Sequence, residues 1–150
     1  MPSHKERKNL HYSPKQILDL VMDIENYPEF LPWCVGAKIT KVIDENSLEA
    51  DLAINFKGVF QKYSSKVTLI KITDDSFEVK AEAIKGPFKN LVNLWHIKRC
   101  DKTPNLTFVD FFIDFQFNSK MLNMMMGPFF EKATNKMICA FEKRADELYK

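Results

Sequence analysis

The sequence predicts an α+β fold in which an antiparallel sheet of about seven strands curves around a long C-terminal helix. Near the start, a short apolar stripe follows strong helix-capping signals. Residues 35–117 then carry apolar side chains at alternate positions, with no helical segment between, and the helical period returns after residue 119. Successive strands without helices between them pair antiparallel. The sheet must therefore wrap the helix to bury both apolar faces.

The first elements are an edge strand and a short helix. The strand is predicted from His4 to Leu10. Ser13 is a suitable N-cap, Pro14 suits the first helical position, and Gln16 completes a capping box. The apolar side chains that follow have helical spacing: Ile17, Leu20, Val21 and Ile24.

The next segment, Tyr27–Cys34, contains two prolines and several large apolar side chains in eight residues. Pro28 and Pro32 restrict their own backbones and those of the residues before them, which predicts one short turn of helix with constrained ends. An apolar surface must cover the large apolar side chains of this segment, which are Phe30, Leu31 and Trp33. The segment is either a lid on a hydrophobic core or a lid over a ligand cavity.

The strands that follow show a period of two. Charged residues alternate with apolar residues over residues 77–83, which is typical of a sheet with one buried and one solvent-exposed face. The inward positions are predicted as Val35, Ala37, Ile39, Leu48, Ala50, Leu52, Ile54, Phe56, Tyr63, Ser65, Val67, Leu69, Phe77, Val79, Ala81, Ala83, Trp95, Ile97, Val109, Phe111, Ile113, Phe115 and Phe117.

The C-terminal segment, Ser119–Lys150, predicts one long amphipathic helix. Pro128 removes a backbone hydrogen bond and crowds the preceding turn, so we expect a kink in a continuous helix. The buried stripe is predicted as Phe130, Ala133, Met137, Phe141, Ala145 and Leu148.

Composition limits the classes of protein. The chain has 150 residues, 45% of them hydrophobic, which predicts one domain with a substantial core. A net charge of +2 decides nothing about a nucleic-acid partner. Cys34, Cys100 and Cys139 have no paired spacing, so we expect buried thiols in a reducing, cytoplasmic compartment. The N-terminus lacks the pattern of a signal peptide, and the most apolar window, residues 121–130, is too short to span a membrane.

The sequence contains little evidence for a catalytic or metal-binding motif. His4, His11 and His96 lie in different predicted elements without metal-ligand spacing, so no metal site is expected. The sequence has no nucleophile motif, and Cys34 has no activating base in its sequence context. We therefore expect no catalytic residues and no enzyme activity. A lone polar group inside a cavity, Tyr63 or Ser65, remains able to orient a substrate.

Several blocks occur in the order of a known family. They are Tyr12-Ser13-Pro14-Lys15-Gln16, Asp19-Leu20-Val21, the Tyr27–Cys34 segment, Gly86-Pro87-Phe88-Lys89, Leu94-Trp95-His96-Ile97, Phe115-Gln116-Phe117-Asn118-Ser119 and Ala140-Phe141-Glu142-Lys143-Arg144-Ala145. Nearly the whole chain thus resembles the coenzyme Q-binding and ribosome-association family of the START-like (polyketide cyclase/dehydrase) superfamily. The resemblance implies the helix-grip fold, in which sheet and helix leave a cavity for a hydrophobic ligand. His96 and Ile97 depart from the family pattern, where a basic residue and Phe are common.

Candidate ligand-binding positions follow from the predicted geometry. Large rings alternate with small residues on the inward face, a pattern that fits either an interdigitated core or a pocket. The methionines of residues 121–126 suit a surface that adapts to a flexible apolar guest, although they also suit an ordinary core. The candidates for cavity and lid are Phe30, Trp33, Phe56, Tyr63, Phe77, Trp95, Phe111, Phe115, Met125, Phe129 and Met137.

The resemblance implies two functions without catalysis. The first is binding of ubiquinone or a similar isoprenoid lipid, in support of respiratory electron transport, with peripheral contact to a membrane or respiratory complex. The second is a toxin-like association with the large ribosomal subunit that blocks subunit joining, for which a basic surface is needed. A cyclase or hydrolase acting on a hydrophobic substrate ranks third, and no DNA partner is expected. The lysines available for a basic patch are Lys57, Lys62, Lys66, Lys71, Lys85, Lys89, Lys98 and Lys102.

Overall fold

A computed structural model describes residues 3–56, 58–103 and 105–150, with Phe56 described by its backbone alone. Within these ranges, seven strands form one antiparallel sheet in the order β1-β7-β6-β5-β4-β3-β2. The strands are β1 (Ser3–Leu10), β2 (Cys34–Asp44), β3 (Ser47–Phe56), β4 (Val59–Thr73), β5 (Ser76–Lys85), β6 (Phe88–Arg99) and β7 (Thr107–Phe117). The α-helices are α1 (Pro14–Met22), α2 (Lys120–Met126) and α3 (Phe130–Tyr149), and 3₁₀ helices span Ile24–Glu29 and Gly127–Phe129.

The topology confirms the predicted α+β class. Each strand from β2 to β6 pairs with the next strand in the chain, and β1 pairs with β7 at the sheet edge. β1 is therefore the edge strand that the sequence predicts. The curved sheet holds α3 against its inner face, as the helix-grip fold requires.

Helix α1 begins as the capping signals predict. The Gln16 backbone N–H donates to Ser13 Oγ at 3.1 Å, and the Ser13 backbone N–H donates to Gln16 Oε1 at 3.0 Å. This reciprocal pair satisfies two backbone donors at the helix start. The buried face of α1 consists of Pro14, Ile17, Leu18, Leu20 and Val21.

The C-terminal helix differs from the predicted continuous one, because a 3₁₀ segment, Gly127–Phe129, separates α2 from α3. Pro128 lies inside this segment and has no N–H to donate to the preceding turn, which explains the change of hydrogen bonding. The predicted position of the irregularity is correct. Ser119 caps α2, accepting a hydrogen bond from the Leu122 backbone N–H at 3.3 Å.

Helix α3 supplies one side of the main core. The ring of Phe141 lies 4.8 Å from that of Trp95 on β6, measured between centroids. The buried stripe differs from the prediction at three positions: Ala133 and Met137 are only half-buried, and Leu148 is 47% exposed. The buried residues of α3 are Phe130, Thr134, Ile138, Phe141 and Ala145, so the inward face is rotated slightly from the predicted one.

The cysteines are only partly as predicted. Cys34 and Cys100 are buried thiols, whereas Cys139 is exposed on α3. Cys139 follows the buried Ile138 and lies on the outward side of the helix, next to the charged face. The prediction of three buried thiols is therefore wrong at this position.

Candidate ligand-binding cavity

An internal cavity of about 140 Å³ lies between the Tyr27–Cys34 segment, the inner face of the sheet and α3. Its wall is almost wholly apolar. The sheet contributes Leu52, Ile54, Tyr63, Ser65, Val67, Val79, Ala81, Leu91, Asn93, Trp95 and Ile113. The helices and the segment above them contribute Val21, Ile24, Tyr27, Leu31, Trp33, Cys34, Met137 and Phe141.

The Tyr27–Cys34 segment closes this cavity, and we call it the lid. The Tyr27 hydroxyl donates a hydrogen bond to the Val21 carbonyl, which ties the lid to α1. Burial raises the pKa of Tyr27, so the phenol is neutral and remains a donor. Tyr27 and Phe30 both pack edge-on against Phe141, with ring centroids 5.4 and 5.1 Å away. The lid is thus held to two helices by its aromatic side chains, while Leu31 and Trp33 face the cavity.

Small side chains on the middle strands create the space below the lid. Ser65 on β4 lies opposite Ala50 on β3 and Ala83 on β5. Two residues further, Val67 lies opposite Ala81. Because these side chains are small, they leave space between the sheet and the lid, and the cavity occupies that space.

Polar groups enter the cavity wall at β6 and β4. Asn93 is fixed by two hydrogen bonds: its Oδ1 accepts from Trp95 Nε1 at 2.9 Å, and its Nδ2 donates to the Phe112 carbonyl at 3.0 Å. Asn93 therefore orients the indole of Trp95. Burial raises the pKa of Tyr63, whose phenol is thus neutral. Burial likewise raises the pKa of the Cys34 thiol, which argues against a reactive thiolate.

The turn between β5 and β6 presses against Tyr63. Gly86 has φ +135°, a conformation that side chains rarely adopt, and a Cβ built there would lie 2.6 Å from Tyr63 Cβ. Only glycine allows this approach without displacing the strand that carries Tyr63. Gly86, from the block Gly86-Pro87-Phe88-Lys89, is thus a positioning residue for the cavity wall.

A second apolar cavity of about 170 Å³ lies between the β3–β4 hairpin and α2. It is lined by Ile54, Val59, Gln61, Phe117, Leu122, Met125, Met126 and Phe129. Ile54 lines both cavities, so the two are neighbours. Asn123 fastens α2 to the end of β7, accepting from the Phe117 N–H at 2.8 Å and donating to the Phe117 carbonyl at 3.1 Å.

The predicted site residues divide between these cavities and the surrounding core. Trp33, Tyr63, Trp95 and Met137 line the first cavity, and Met125 and Phe129 line the second. Four predicted residues lie outside both linings: Phe30, Phe77, Phe111 and Phe115. The predicted side chain at Phe56 lies outside the described part of the structure.

The four residues outside the linings pack against neighbouring side chains of the core. Phe30 packs against Tyr27 and Phe141, with the Arg144 guanidinium 5.5 Å from its ring centroid. Phe111 packs edge-on against Trp95 at 4.9 Å within the main core. Phe115 packs against Phe130, and Phe77 is buried in the main core. The alternation of apolar and polar residues identifies the side chains that face inward. It does not show which of them line the cavity.

Sequence reasoning missed several lining residues, and Asn93 is the most informative of them. It shares the inward face with Trp95, two residues away, and a polar side chain on an otherwise apolar face was the available signal. Leu52 and Ile54 were recognised as inward but not as cavity residues. Leu31 was recognised in the lid without being assigned to the site.

On the outer face of the sheet, three lysines border one groove. Lys38, Lys62 and Lys85 lie on β2, β4 and β5, with Asp51 among them. Lys62 and Lys85 were predicted patch residues, whereas Lys38 was not. Lys71 is instead paired with Asp74 at 3.0 Å, and Lys66 lies between Glu49 and Glu82 in the strand register. Lys57 lies outside the described residues.

The described ranges contain neither a metal-binding cluster nor a membrane-spanning helix. No group of three or more His, Cys, Asp or Glu side chains is arranged there to hold a metal ion. None of the helices in the same ranges is both long and apolar enough to cross a membrane.

A curved antiparallel sheet around a C-terminal helix, with an apolar cavity between them, defines a START-like domain. Residues 10–142 match the family described as "Polyketide cyclase / dehydrase and lipid transport". The chain belongs to this family.

Known relatives carry names of binding and association proteins. The chain is 43% identical to the ribosome association toxin RatA of Rickettsia prowazekii, over all of both chains. It is 33% identical to the mitochondrial coenzyme Q-binding protein COQ10 of Dictyostelium discoideum, covering 95% of this chain and 68% of the relative. The fold is shared with the ZhuI aromatase/cyclase of a Streptomyces species, at a TM-score of 0.83 and 11% identity, covering 99% of this chain and 96% of the other. The same fold thus also supports enzymes.

Proposed function

We propose that the protein binds a hydrophobic lipid of the quinone class without chemically changing it. The observation that supports this most strongly is the apolar cavity closed by a lid and lined by two tryptophans, Trp33 and Trp95. Burial of apolar surface supplies affinity of roughly 25 cal/mol per Å², and a few polar groups orient the ligand. The relative named as a coenzyme Q-binding protein supports the choice of a quinone.

The size of the cavities suggests how such a ligand is held. A volume of about 140 Å³ matches a single aromatic ring, since a cavity of roughly 150 Å³ accepts benzene. The isoprenoid tail of a ligand whose ring fills the first cavity must therefore lie elsewhere, and the second cavity is a neighbour that shares Ile54 with the first. Met125 and Met126 are unbranched and polarizable, so they can rearrange around a chain of variable length. Binding then requires movement of the Ile54 side chain and of these methionines.

A fluorescence titration tests this proposal. A benzoquinone with a decyl chain should quench the emission of both cavity tryptophans and saturate at one molecule per chain. Ala81→Leu fills the cavity and should abolish saturable quenching. Lys80→Leu adds the same side chain on the opposite face of β5 and should leave it intact. Absence of saturable binding to the wild-type protein, or equal binding by Ala81→Leu, would refute the proposal.

A second candidate function is association with the ribosome. The relative with the toxin name is similar over its whole length, and the groove bordered by Lys38, Lys62 and Lys85 offers three cations close together. Phosphate contacts of this kind make binding weaken steeply with salt.

Co-sedimentation with purified large subunits tests the second candidate. Reversal of the three groove lysines to glutamate should abolish binding. Reversal of Lys132, Lys136 and Lys143 on α3, where acidic residues are interleaved, is the matched control and should have a smaller effect. Equal loss in the two triple variants would show that net charge, and not the groove, decides the association.

A further inference from the structure

Ser65 is the unexplained polar group of the cavity. It lies on β4 at 2% exposure and lines the first cavity. Its Oγ is buried and has no hydrogen-bond partner among the described residues. An unpartnered hydroxyl in apolar surroundings costs free energy, so an alanine would fold at least as well at this position.

The neighbouring groups of the described structure give this hydroxyl no hydrogen-bond partner. The residues paired with Ser65 across the sheet, Ala50 and Ala83, have no side-chain polar atoms. Asn93 already uses its amide for Trp95 and for the Phe112 carbonyl. A neutral hydroxyl whose protein environment supplies no acceptor is suited to donate to an acceptor on a bound molecule.

We propose that Ser65 donates a hydrogen bond to a carbonyl oxygen on the ring of the bound ligand and thereby selects carbonyl-bearing rings. This inference rests on the proposed function, because it requires a ligand in the first cavity. A quinone carbonyl loses its hydrogen bonds to water when it enters an apolar cavity, and Ser65 replaces one of them. A ring of the same shape without carbonyls gains nothing from this hydroxyl.

Two ligands and two variants test the role of Ser65. The ligands are the decyl benzoquinone and a decylbenzene with the same ring substituents but no carbonyls. Ser65→Ala should weaken binding of the quinone about fivefold, as expected for one neutral hydrogen bond, and leave the alkylbenzene unchanged. Ser64→Ala is the matched control, since the Ser64 hydroxyl donates to Asp51 on the outer face. It should alter neither affinity.

The outcomes separate this inference from the proposed function. Calorimetric or competition titration that shows the selective loss in Ser65→Ala supports the inference. Equal weakening of both ligands, or weakening of neither, overturns the role of Ser65 while the cavity remains a binding site. Failure of both ligands to bind the wild-type protein overturns the proposed function and the inference together.

Discussion

Replacement of Trp95 by alanine tests the described packing of the cavity wall. The indole is 6% exposed, packs edge-on against Phe111 and Phe141, and donates to Asn93. Truncation of a buried aromatic side chain costs about 3–5 kcal/mol of unfolding free energy. For a chain of 150 residues, the unfolding entropy of roughly 0.3 kcal/mol per degree converts this loss into a Tm lower by about 10–15 °C.

Urea and thermal unfolding followed by circular dichroism measure this loss. Trp95→Phe keeps a ring against Phe141 but removes the N–H that Asn93 accepts, and should cost about 1–3 kcal/mol. Trp33→Ala, in the half-buried lid, should cost less than Trp95→Ala. A loss below about 1 kcal/mol for Trp95→Ala would refute the described packing of this ring.

The remaining predictions concern the cavity wall and the sheet edge. Gly86→Ala should lower the free energy of unfolding by at least about 1–3 kcal/mol, because its positive φ disfavours a side chain and the new Cβ meets Tyr63; urea unfolding measures this. Ser65→Ala should raise the free energy of unfolding of the empty protein by about 1 kcal/mol, because it removes an unpartnered hydroxyl; the same assay applies. Arg7 lowers the pKa of Asp110 through a bidentate contact, so this carboxylate stabilises the fold above its unfolded pKa of about 3.9, and the contribution is lost as pH falls through the lower folded value. In Asp110→Asn, the free energy of unfolding should therefore fall less steeply as the pH is lowered into the acid range, which we call the acid limb.

Each of these predictions has a matched control. Gly127→Ala is the control for Gly86→Ala, because Gly127 has helical backbone angles and open space around it, and a small gain of stability is expected. Ser64→Ala, on the outer face, should not stabilise the protein as Ser65→Ala does. Asp19→Asn tests the exposed pair with Lys15 and should change the acid limb less than Asp110→Asn. An unchanged acid limb in Asp110→Asn would contradict the assigned role of Arg7.

The order and type of the elements could be predicted from local patterns. The capping box of Ser13 and Gln16 and the alternation along β5 act within a few residues, so the sequence carries them directly. The irregularity at Pro128 was equally local. Its effect on hydrogen bonding, a 3₁₀ segment rather than a bent α-helix, was not evident from the sequence.

The cavity wall could be predicted only in part. Trp95 and Phe111 share the inward face of adjacent strands, yet of the two only Trp95 lines the cavity, while Phe111 packs edge-on against it in the core. The curvature of the sheet decides which inward side chains line the cavity. This curvature arises from contacts between residues far apart in sequence. The sequence identifies Ser65 as a lone polar residue on an apolar face. Its lack of a hydrogen-bond partner depends on Ala50 and Ala83, which lie opposite it on neighbouring strands.

Organic extraction and mass spectrometry of the protein purified from its native host test the central claim most directly, with ribosome co-sedimentation run on the same lysate. Our account predicts a stoichiometric quinone or related isoprenoid lipid in the extract. An empty protein that travels with large ribosomal subunits would contradict the account and assign the function to the outer surface of the sheet.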